Sequence, residues 1–136
     1  MVCLRLSAWR EIIVSFACSL VPTHSRCEST MRLAASPRRS DTQSQIWRAA
    51  VSVPSNIVGG CARRTDKDYG RFITIAFASA AETHYLLSVA RRLNLLAAKS
   101  CLELEKEYEA LLRALNKLTG AIDDFDGTHR LNHGRS

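Results

Sequence analysis

Residues 42–64 carry the sequence TQSQIWRAAVSVPSNIVGGCARR, in which apolar side chains recur at helical spacing. A spacing of i, i+3, i+4 and i+7, extended by one further turn, is typical of the buried face of a helix, and it is met by Ile46, Ala49, Ala50, Val53 and Ile57. Pro54 lacks an N–H and crowds the carbonyl four residues earlier, so we expect a kink or a restart there. Gly59–Gly60 weakens or ends the helix. The stretch therefore predicts an amphipathic helix, capped at its start by Asp41 or Thr42.

Two longer helices are predicted further along the chain. The first begins at the capping box Thr65–Asp68 and stops at Asn94, and its apolar stripe comprises Phe72, Ile75, Ala76, Ser79, Thr83, Leu86, Leu87, Ala90 and Leu93. The second begins at a capping box formed by Ser100 and Glu103, and its heptad-like seam comprises Tyr108, Leu111, Leu115, Leu118, Ile122 and Phe125. Gly127 is expected to end it. The short loop between the two helices predicts antiparallel neighbours.

The N-terminal third is less regular. Residues 7–21 predict an amphipathic helix, and residues 22–41 are polar, contain two prolines and predict a linker. The apolar run Ile12–Val21 is too short to span a bilayer, which needs about 20 residues. Glu11 interrupts the basic start that a signal peptide requires, and no good small-residue cleavage site follows. We therefore expect neither export nor a membrane partner.

Composition limits the class of protein. With 136 residues, 46% hydrophobic, only 6 Gly and 3 Pro, the chain is neither wholly disordered nor a collagen-like repeat, and an all-β sandwich is disfavoured. The net charge is +6, and residues 42–98 carry 7 basic against 3 acidic side chains, which is +4. Such a basic excess favours an anionic partner. Five cysteines without a C-x-x-C pair predict free thiols in a reducing, cytoplasmic compartment.

Residues 44–57, SQIWRAAVSVPSNI, resemble the signature of the small four-helix-bundle proteins encoded in intervening sequences of bacterial 23S ribosomal RNA genes. The resemblance continues to residue 125 through Gly60, Arg63–Arg64, Asp68–Tyr69, Arg71–Phe72, Ile75–Ala76, Ser79 and Glu82. Accessory proteins of diversity-generating retroelements are similar in fold. The resemblance implies an all-α, antiparallel up-down four-helix bundle that assembles as a homo-oligomer, often a pentamer, with a basic surface. The retroelement relatives bind nucleic acid and a reverse transcriptase.

This sequence departs from the family pattern in places. Trp47 stands where the family usually has Arg, Gly59 where it has Glu, and His84 where it has a second acidic residue. Leu6 and Trp9 keep the spacing of the family's first helix, but the residues after them do not match. The expected organisation is a degenerate first helix (about residues 7–21) and a flexible linker in residues 1–41, a helical bundle core in residues 42–126 and a flexible tail in residues 127–136.

Candidate binding residues are basic side chains of the second and third predicted helices. They are Arg48, Arg63, Arg64, Lys67 and Arg71. A cluster of cations can bind nucleic acid by neutralising phosphates, without reading bases. The alternative is an ordinary solvated surface. Arg91 and Arg92 are explained by their place at a helix C-terminus, where cations complement the helix dipole.

A second set is assigned to structure or oligomer contacts and comprises Trp47, Pro54, Asn56, Ser79 and Glu82. Glu82 has no nearby carboxylate partner, which a catalytic acid or base requires. No Gly-rich phosphate loop, G-x-S-x-G or H-E-x-x-H motif occurs, and His129 and His133 are interpreted as solvated side chains. We therefore expect no catalytic residue, no metal site and no cofactor.

The sequence predicts a non-enzymatic, homo-oligomeric bundle that binds RNA or DNA through a basic face. Two alternatives stay open. One is an interaction scaffold that docks an acidic partner protein encoded nearby. The other is a defective remnant of the family whose start lies in unrelated sequence.

Overall fold

A computed structural model describes Ser15 and residues 37–133, with side chains described for Ser15 and residues 41–122, and all regular secondary structure in this part of the protein is helical. Three helices follow one another, α1 (Pro37–Cys61), α2 (Asp66–Arg92) and α3 (Ala98–His133). Helix α2 packs against both α1 and α3, whereas α1 and α3 hardly touch each other. The all-α prediction is confirmed for these residues. The predicted first helix, residues 7–21, lies outside them except for Ser15, which is helical and exposed.

Helix α1 is longer than its sequence pattern predicted. It begins at Pro37 and not at Thr42, so residues 37–41 belong to a helix and not to the predicted linker. Proline is well suited to a first helical turn because its fixed φ is helical and the N–H it lacks would have no intrahelical partner. The helix then runs through Pro54 to Cys61 without a restart. Next to Pro54, the Ser55 hydroxyl donates to the Val51 carbonyl at 2.8 Å, which reinforces the interrupted backbone.

Helix α2 begins and ends as predicted. Thr65 is the N-cap, with an extended backbone (φ −112°, ψ 145°), and its Oγ1 accepts from the Asp68 N–H at 3.1 Å and donates to Asp68 Oδ2 at 2.7 Å. The Thr65 side chain therefore caps the helix as predicted, and the Asp68 carboxylate contacts the Thr65 hydroxyl, whereas in a full capping box it would accept from the Thr65 N–H. At the other end, Asn94 adopts φ 52°, the left-handed conformation predicted for the stop.

Helix α3 passes the glycine at which the sequence predicted its end. It begins at Ala98, two residues before Ser100, and continues beyond Gly127 to His133, so residues 127–133 are helical and not a flexible tail. A glycine costs about 1 kcal/mol relative to alanine inside a helix, which weakens the helix without ending it. Glycine is therefore a poor boundary marker in this segment.

The core lies between the three helices, with α2 in the centre. The core residues of α2 are spaced alternately by four and three positions, which places them on one face of the helix. They are Tyr69, Ile73, Ala76, Ala80, Thr83, Leu87 and Ala90. They meet Ile46, Ala50, Val53 and Ile57 of α1 and Tyr108, Leu111, Leu115, Leu118 and Ile122 of α3. The stripes predicted for α1 and α3 are thereby confirmed up to residue 122; Phe125 lies outside the described side chains.

The stripe predicted for α2 was partly wrong. Ile75 is 42% exposed and Leu93 is 62% exposed, while Tyr69 and Ile73, absent from the prediction, are buried. Apolar residues occur on several faces of α2, so periodicity alone did not single out the face that packs. The neighbours on two sides, α1 and α3, decide which stripe is covered.

Polar contacts join α2 to α3 inside this packing. Arg91 donates from Nε to Glu105 Oε1 at 3.0 Å and from Nη2 to Oε2 at 3.5 Å, and Glu105 is buried. The sequence assigned Arg91 only to the helix dipole and missed this pair. Nearby, burial raises the pKa of the Cys101 thiol, and burial raises the pKa of Tyr108 to about 12, although a hydrogen bond with Thr83 opposes that shift.

Candidate nucleic-acid interface

The signature residues of α1 face α2 and form a chain of hydrogen bonds across the helix pair. Asn56 Nδ2 donates to the Ser52 carbonyl at 2.8 Å and to Ser52 Oγ at 3.0 Å, and Ser52 Oγ lies 2.9 Å from Ser79 Oγ. Ser79 Oγ donates to the Ile75 carbonyl at 3.0 Å. A hydroxyl has one hydrogen, so Ser52 must be the donor to Ser79. The chain runs from Asn56 through Ser52 and Ser79 to Ile75.

This chain of hydrogen bonds gives a structural role to several residues of the signature. It brings together Asn56 and Ser79, both predicted as structural residues, through Ser52, which the prediction missed. The only sequence signal for Ser52 was its place in the signature, opposite the small-residue stretch of α2. Buried polar groups need partners, so the chain holds α1 and α2 in one register, with Ser52 opposite Ser79.

That register separates the predicted basic cluster into two parts. Arg63 and Arg64 lie in the connection between α1 and α2, Lys67 lies in the first turn of α2, and Arg71 follows one turn later. All four are exposed, and we call them the basic turn. Arg48 is also exposed, but it lies one turn before Ser52 and therefore opposite residue 83, about 18 Å along α2 from Arg71. The structure brings four of the five predicted residues together.

Close packing supports the basic turn. The Arg63 guanidinium lies 4.5 Å from the centre of the Phe72 ring, a cation–π contact, and the Arg63 N–H donates to the Gly60 carbonyl at 2.9 Å. A Cβ at Gly60 would lie 2.9 Å from the Cβ of Phe72, so only glycine allows α1 and α2 to come this close. The exposed cations therefore project from a rigid helix–turn–helix junction.

The basic turn has a net positive charge. The only acidic residues within it are Asp66 and Asp68, both exposed, so four cations and two anions leave a net charge of +2. Asp68 is engaged by the Thr65 hydroxyl. None of the four cations forms an ion pair with a carboxylate among the described residues. The cations are thus available to an external anion.

The remaining predicted structural residues lie outside the hydrogen-bonded chain. Glu82 is exposed on the outer face of α2, which also carries Arg71, Ile75, Ala78 and Tyr85. Tyr85 is 64% exposed. Trp47 is 38% exposed and lies outside the core. Its role as an interface residue stays a prediction.

The side chains that could bind a metal are dispersed in the described part of the protein. No group of three or more His, Cys, Asp or Glu side chains comes together among them. His84 Nε2 lies 3.7 Å from Glu109 Oε1 on the outside of the α2–α3 pair. The thiol of Cys101 is free and buried. His129 and His133 lie outside the described side chains.

Helix α2 is long and apolar enough to cross a membrane if length and composition alone are considered. The core helix of a soluble protein meets the same criterion. In this protein α2 packs between α1 and α3 and carries the centre of the core. Helix packing therefore accounts for part of the apolar character of α2, since about a third of its most apolar stretch is buried.

A comparison with family models gives one match. The model described as 23S rRNA-intervening sequence protein matches residues 24–117, which is more than half of the chain. The match includes all of α1 and α2 and ends within α3, and it starts earlier than the resemblance noted from residue 42. No curated protein matches the chain. The similarity to retroelement accessory proteins stays a prediction. The chain belongs to the 23S rRNA-intervening sequence protein family.

Proposed function

We propose that this protein is a non-enzymatic, homo-oligomeric helical bundle of the cytoplasm that binds RNA or DNA through the basic turn. The observation that carries the proposal is the set of four exposed cations without acidic partners among the described residues, at one rigid junction. Arg63, Arg64, Lys67 and Arg71 can each approach a phosphate oxygen. Arg48, three turns away, adds a second and weaker point of attachment.

The proposed binding depends on phosphates and not on bases. Contacts of Lys and Arg with phosphates release counterions and carry no sequence information. Four such contacts predict that log K falls with log salt at a slope of about −3.6 on duplex nucleic acid. A fourfold rise in salt then lowers the affinity about 150-fold for each protomer that binds.

Asp66 and Asp68 restrict where a phosphate can bind. They occupy the first turn of α2, where free N–H groups would otherwise attract an anion. Their carboxylates repel a phosphate from the helix N-terminus itself. A bound backbone is therefore held by the side chains of Arg63 and Arg64 on one side and of Lys67 and Arg71 on the other.

We propose that each protomer forms a four-helix bundle and that the bundles associate into a homo-oligomer. The pentamer implied by the family resemblance is the model for this assembly. Residues 7–21 supply the fourth, antiparallel helix. The outer face of α2 supports self-association because Ile75 and Tyr85 are exposed there beside the small Ala78. Exposed aromatic and aliphatic side chains of this kind are enriched in protein interfaces.

A charge-neutralising variant with a matched control tests the binding site. In the triple variant Arg64→Gln, Lys67→Gln, Arg71→Gln, three cations of the basic turn are lost and Arg63 keeps its contact with Phe72. In the control Lys99→Gln, Lys106→Gln, Lys117→Gln, three exposed cations of α3 are lost with the same change in net charge.

Fluorescence anisotropy with a structured RNA at about 50 mM salt should show at least a tenfold loss of affinity for the first variant. The control should bind within about threefold of the unmodified protein. Equal losses in both variants would show that only net charge matters. Absence of binding by the unmodified protein would refute the nucleic-acid proposal.

A protein scaffold is the second candidate, and it uses the same surface. The exposed Tyr85 and Ile75 continue from Arg71 along one face of α2, so a partner with acidic and apolar groups would fit them together. Capture of partners from lysate before and after nuclease treatment separates the two functions. Partner retention after nuclease treatment favours the scaffold, and loss of all partners favours nucleic acid.

The remnant interpretation concerns the N-terminal part of the chain. The signature contacts and a buried core are present in α1, α2 and α3, which supports a folded protein. Comparing the full chain with residues 37–136 for thermal stability tests whether the preceding residues contribute. Equal stability of the two forms would support the view that residues 1–36 are not part of the bundle.

A further inference from the structure

Arg63 differs from the other cations of the basic turn because its side chain is held in place. Its guanidinium lies over the Phe72 ring, 4.5 Å from the ring centre, and its backbone N–H donates to the Gly60 carbonyl at 2.9 Å. None of the other three cations lies over an aromatic ring among the described side chains. The guanidinium of Arg63 is therefore positioned before any ligand binds.

The Phe72 ring is fixed in turn by two glycines of α1. A Cβ at Gly59 would lie 3.1 Å from Phe72 Cε1, and a Cβ at Gly60 would lie 2.9 Å from Phe72 Cβ. Phe72 is half-buried, whereas Arg63 is exposed. The contacts at the α1–α2 junction thus lead from the glycine backbone through the ring to the guanidinium, which is the outermost group.

The outer side of this guanidinium is a surface on which a flat group can stack. The Phe72 ring covers one side of it, and the other side is accessible to a ligand because Arg63 is exposed. Proteins stack unpaired bases of nucleic acids on aromatic rings and on guanidinium planes. Such stacking tolerates any sequence, since every base has a π-face, and is worth about 1–3 kcal/mol per base.

A continuous duplex cannot use this stacking surface. Its bases are stacked on one another, so only a base in a loop, a bulge or a single-stranded end presents a free face. Phosphates are accessible in both single strands and duplexes, so the other three cations of the basic turn do not distinguish the two forms. Arg63 is consequently the group of the basic turn that can select unpaired nucleotides.

We propose that the basic turn binds unpaired segments of nucleic acid, with Arg63 stacked on a base and its other three cations on the neighbouring phosphates. The inference rests on the nucleic-acid function proposed above and adds the class of ligand to it. Phosphates still supply most of the affinity, and the one stacked base selects the strand form without reading its sequence. Salt-dependent binding and the preference for unpaired strands can therefore fail separately.

Two RNA ligands separate stacking from phosphate contacts. One is an unstructured strand of about 24 nucleotides, and the other is the same strand annealed to its complement, in which nearly every base face is covered. At about 150 mM salt the phosphate contacts are weakened while stacking persists, and fluorescence anisotropy measures both affinities. The unmodified full-length protein should bind the single strand at least about fivefold more tightly than the duplex.

Arg63→Lys removes the planar group and keeps the positive charge, and Arg64→Lys is the matched control one residue later. Arg63→Lys should lower the affinity for the single strand about fivefold, because the base loses its stacking surface, and should leave the affinity for the duplex within about twofold. Arg64→Lys should leave both affinities within about twofold, because either cation can contact a phosphate. Equal effects of the two substitutions on single-strand binding would overturn the assignment of stacking to Arg63.

Phe72→Leu tests the support beneath the guanidinium. Leucine keeps an apolar side chain at the contact with α1 but has no ring, so single-strand affinity should fall about threefold while far-UV circular dichroism verifies that the helices persist. An unchanged preference for the single strand in both Arg63→Lys and Phe72→Leu would overturn the inference. Equal affinities of the unmodified protein for the two ligands would also overturn it, and salt-dependent binding would then leave the proposed function intact. Absence of binding to either ligand would refute the proposed function itself, and this inference with it.

Discussion

Replacement of Ser52 by alanine should destabilise the protein although it removes a single hydroxyl group. The change takes the donor away from Ser79, which is only 9% exposed, and takes one acceptor away from Asn56, whose Nδ2 keeps the Ser52 carbonyl. Ser79 still donates to the Ile75 carbonyl, so neither group is left without a partner, and each of the two lost hydrogen bonds is worth about 0.5–1.5 kcal/mol. The better helix propensity of alanine returns about 0.5 kcal/mol. The expected net loss is about 1–2 kcal/mol.

Ser55→Ala is the matched control within the same signature. Ser55 is exposed and its hydroxyl contacts only the Val51 carbonyl of its own helix, so this variant should stay within about 0.5 kcal/mol of the unmodified protein. Urea denaturation followed by circular dichroism at 222 nm measures both changes, with an unchanged slope m expected. RNA affinity should be unaffected in each variant.

A double-mutant cycle tests the physical reasoning. Ser52→Ala and Ser79→Ala remove the two ends of one hydrogen bond, so the double variant should lose clearly less than the sum of the single losses. Additive losses would refute a direct hydrogen bond. Equal stability of Ser52→Ala and Ser55→Ala would refute the claim that the signature joins α1 to α2.

Further substitutions test the packing around the site. Arg91→Ala should lower the free energy of unfolding, measured by urea denaturation, by about 2 kcal/mol, because Glu105 would keep a buried charge without its partner. The loss is smaller than for a fully buried ion pair because a third of the Arg91 side chain is exposed. Gly60→Ala should lower the stability by about 1–3 kcal/mol, because the added Cβ would crowd Phe72. Gly120→Ala should raise the stability by about 1 kcal/mol, because its Cβ would meet open space. Equal shifts of the two variants in thermal denaturation would contradict the close approach of α1 and α2. The pKa of Tyr108 is raised from 10.0 to about 12, so the unfolded chain loses this proton first; stability should fall as the pH rises above 10, and Tyr108→Phe should flatten that part of the profile.

The sequence predicted the helices better than their packing. The N-cap at Thr65 and the left-handed Asn94 follow from local chemistry and were found where expected. The α3 seam was also found because its apolar residues recur at heptad-like spacing from Tyr108 to Ile122, and this stripe is the buried one. The buried face of α2 was missed at Ile75 because α2 carries apolar residues on several sides, and only its neighbours decide which side is covered.

Helix ends and pairwise contacts were the hardest to foresee. Pro37 and Gly127 are read as breakers from sequence, yet one is compatible with a first helical turn and the other merely lowers helix stability. The basic turn was predicted because Arg63, Arg64, Lys67 and Arg71 are close in sequence. The separation of Arg48 from them depends on the antiparallel register, which the Ser52–Ser79 contact reveals and no local pattern encodes.

The most direct test of the proposed function is the salt dependence of RNA binding, measured for the unmodified protein and for the triple variant Arg64→Gln, Lys67→Gln, Arg71→Gln. Each phosphate contact contributes about one unit to the slope of log K against log salt. The slope of the unmodified protein should therefore be steeper by about three units than that of the variant. Identical slopes would place the phosphate contacts elsewhere and contradict a nucleic-acid interface at the basic turn.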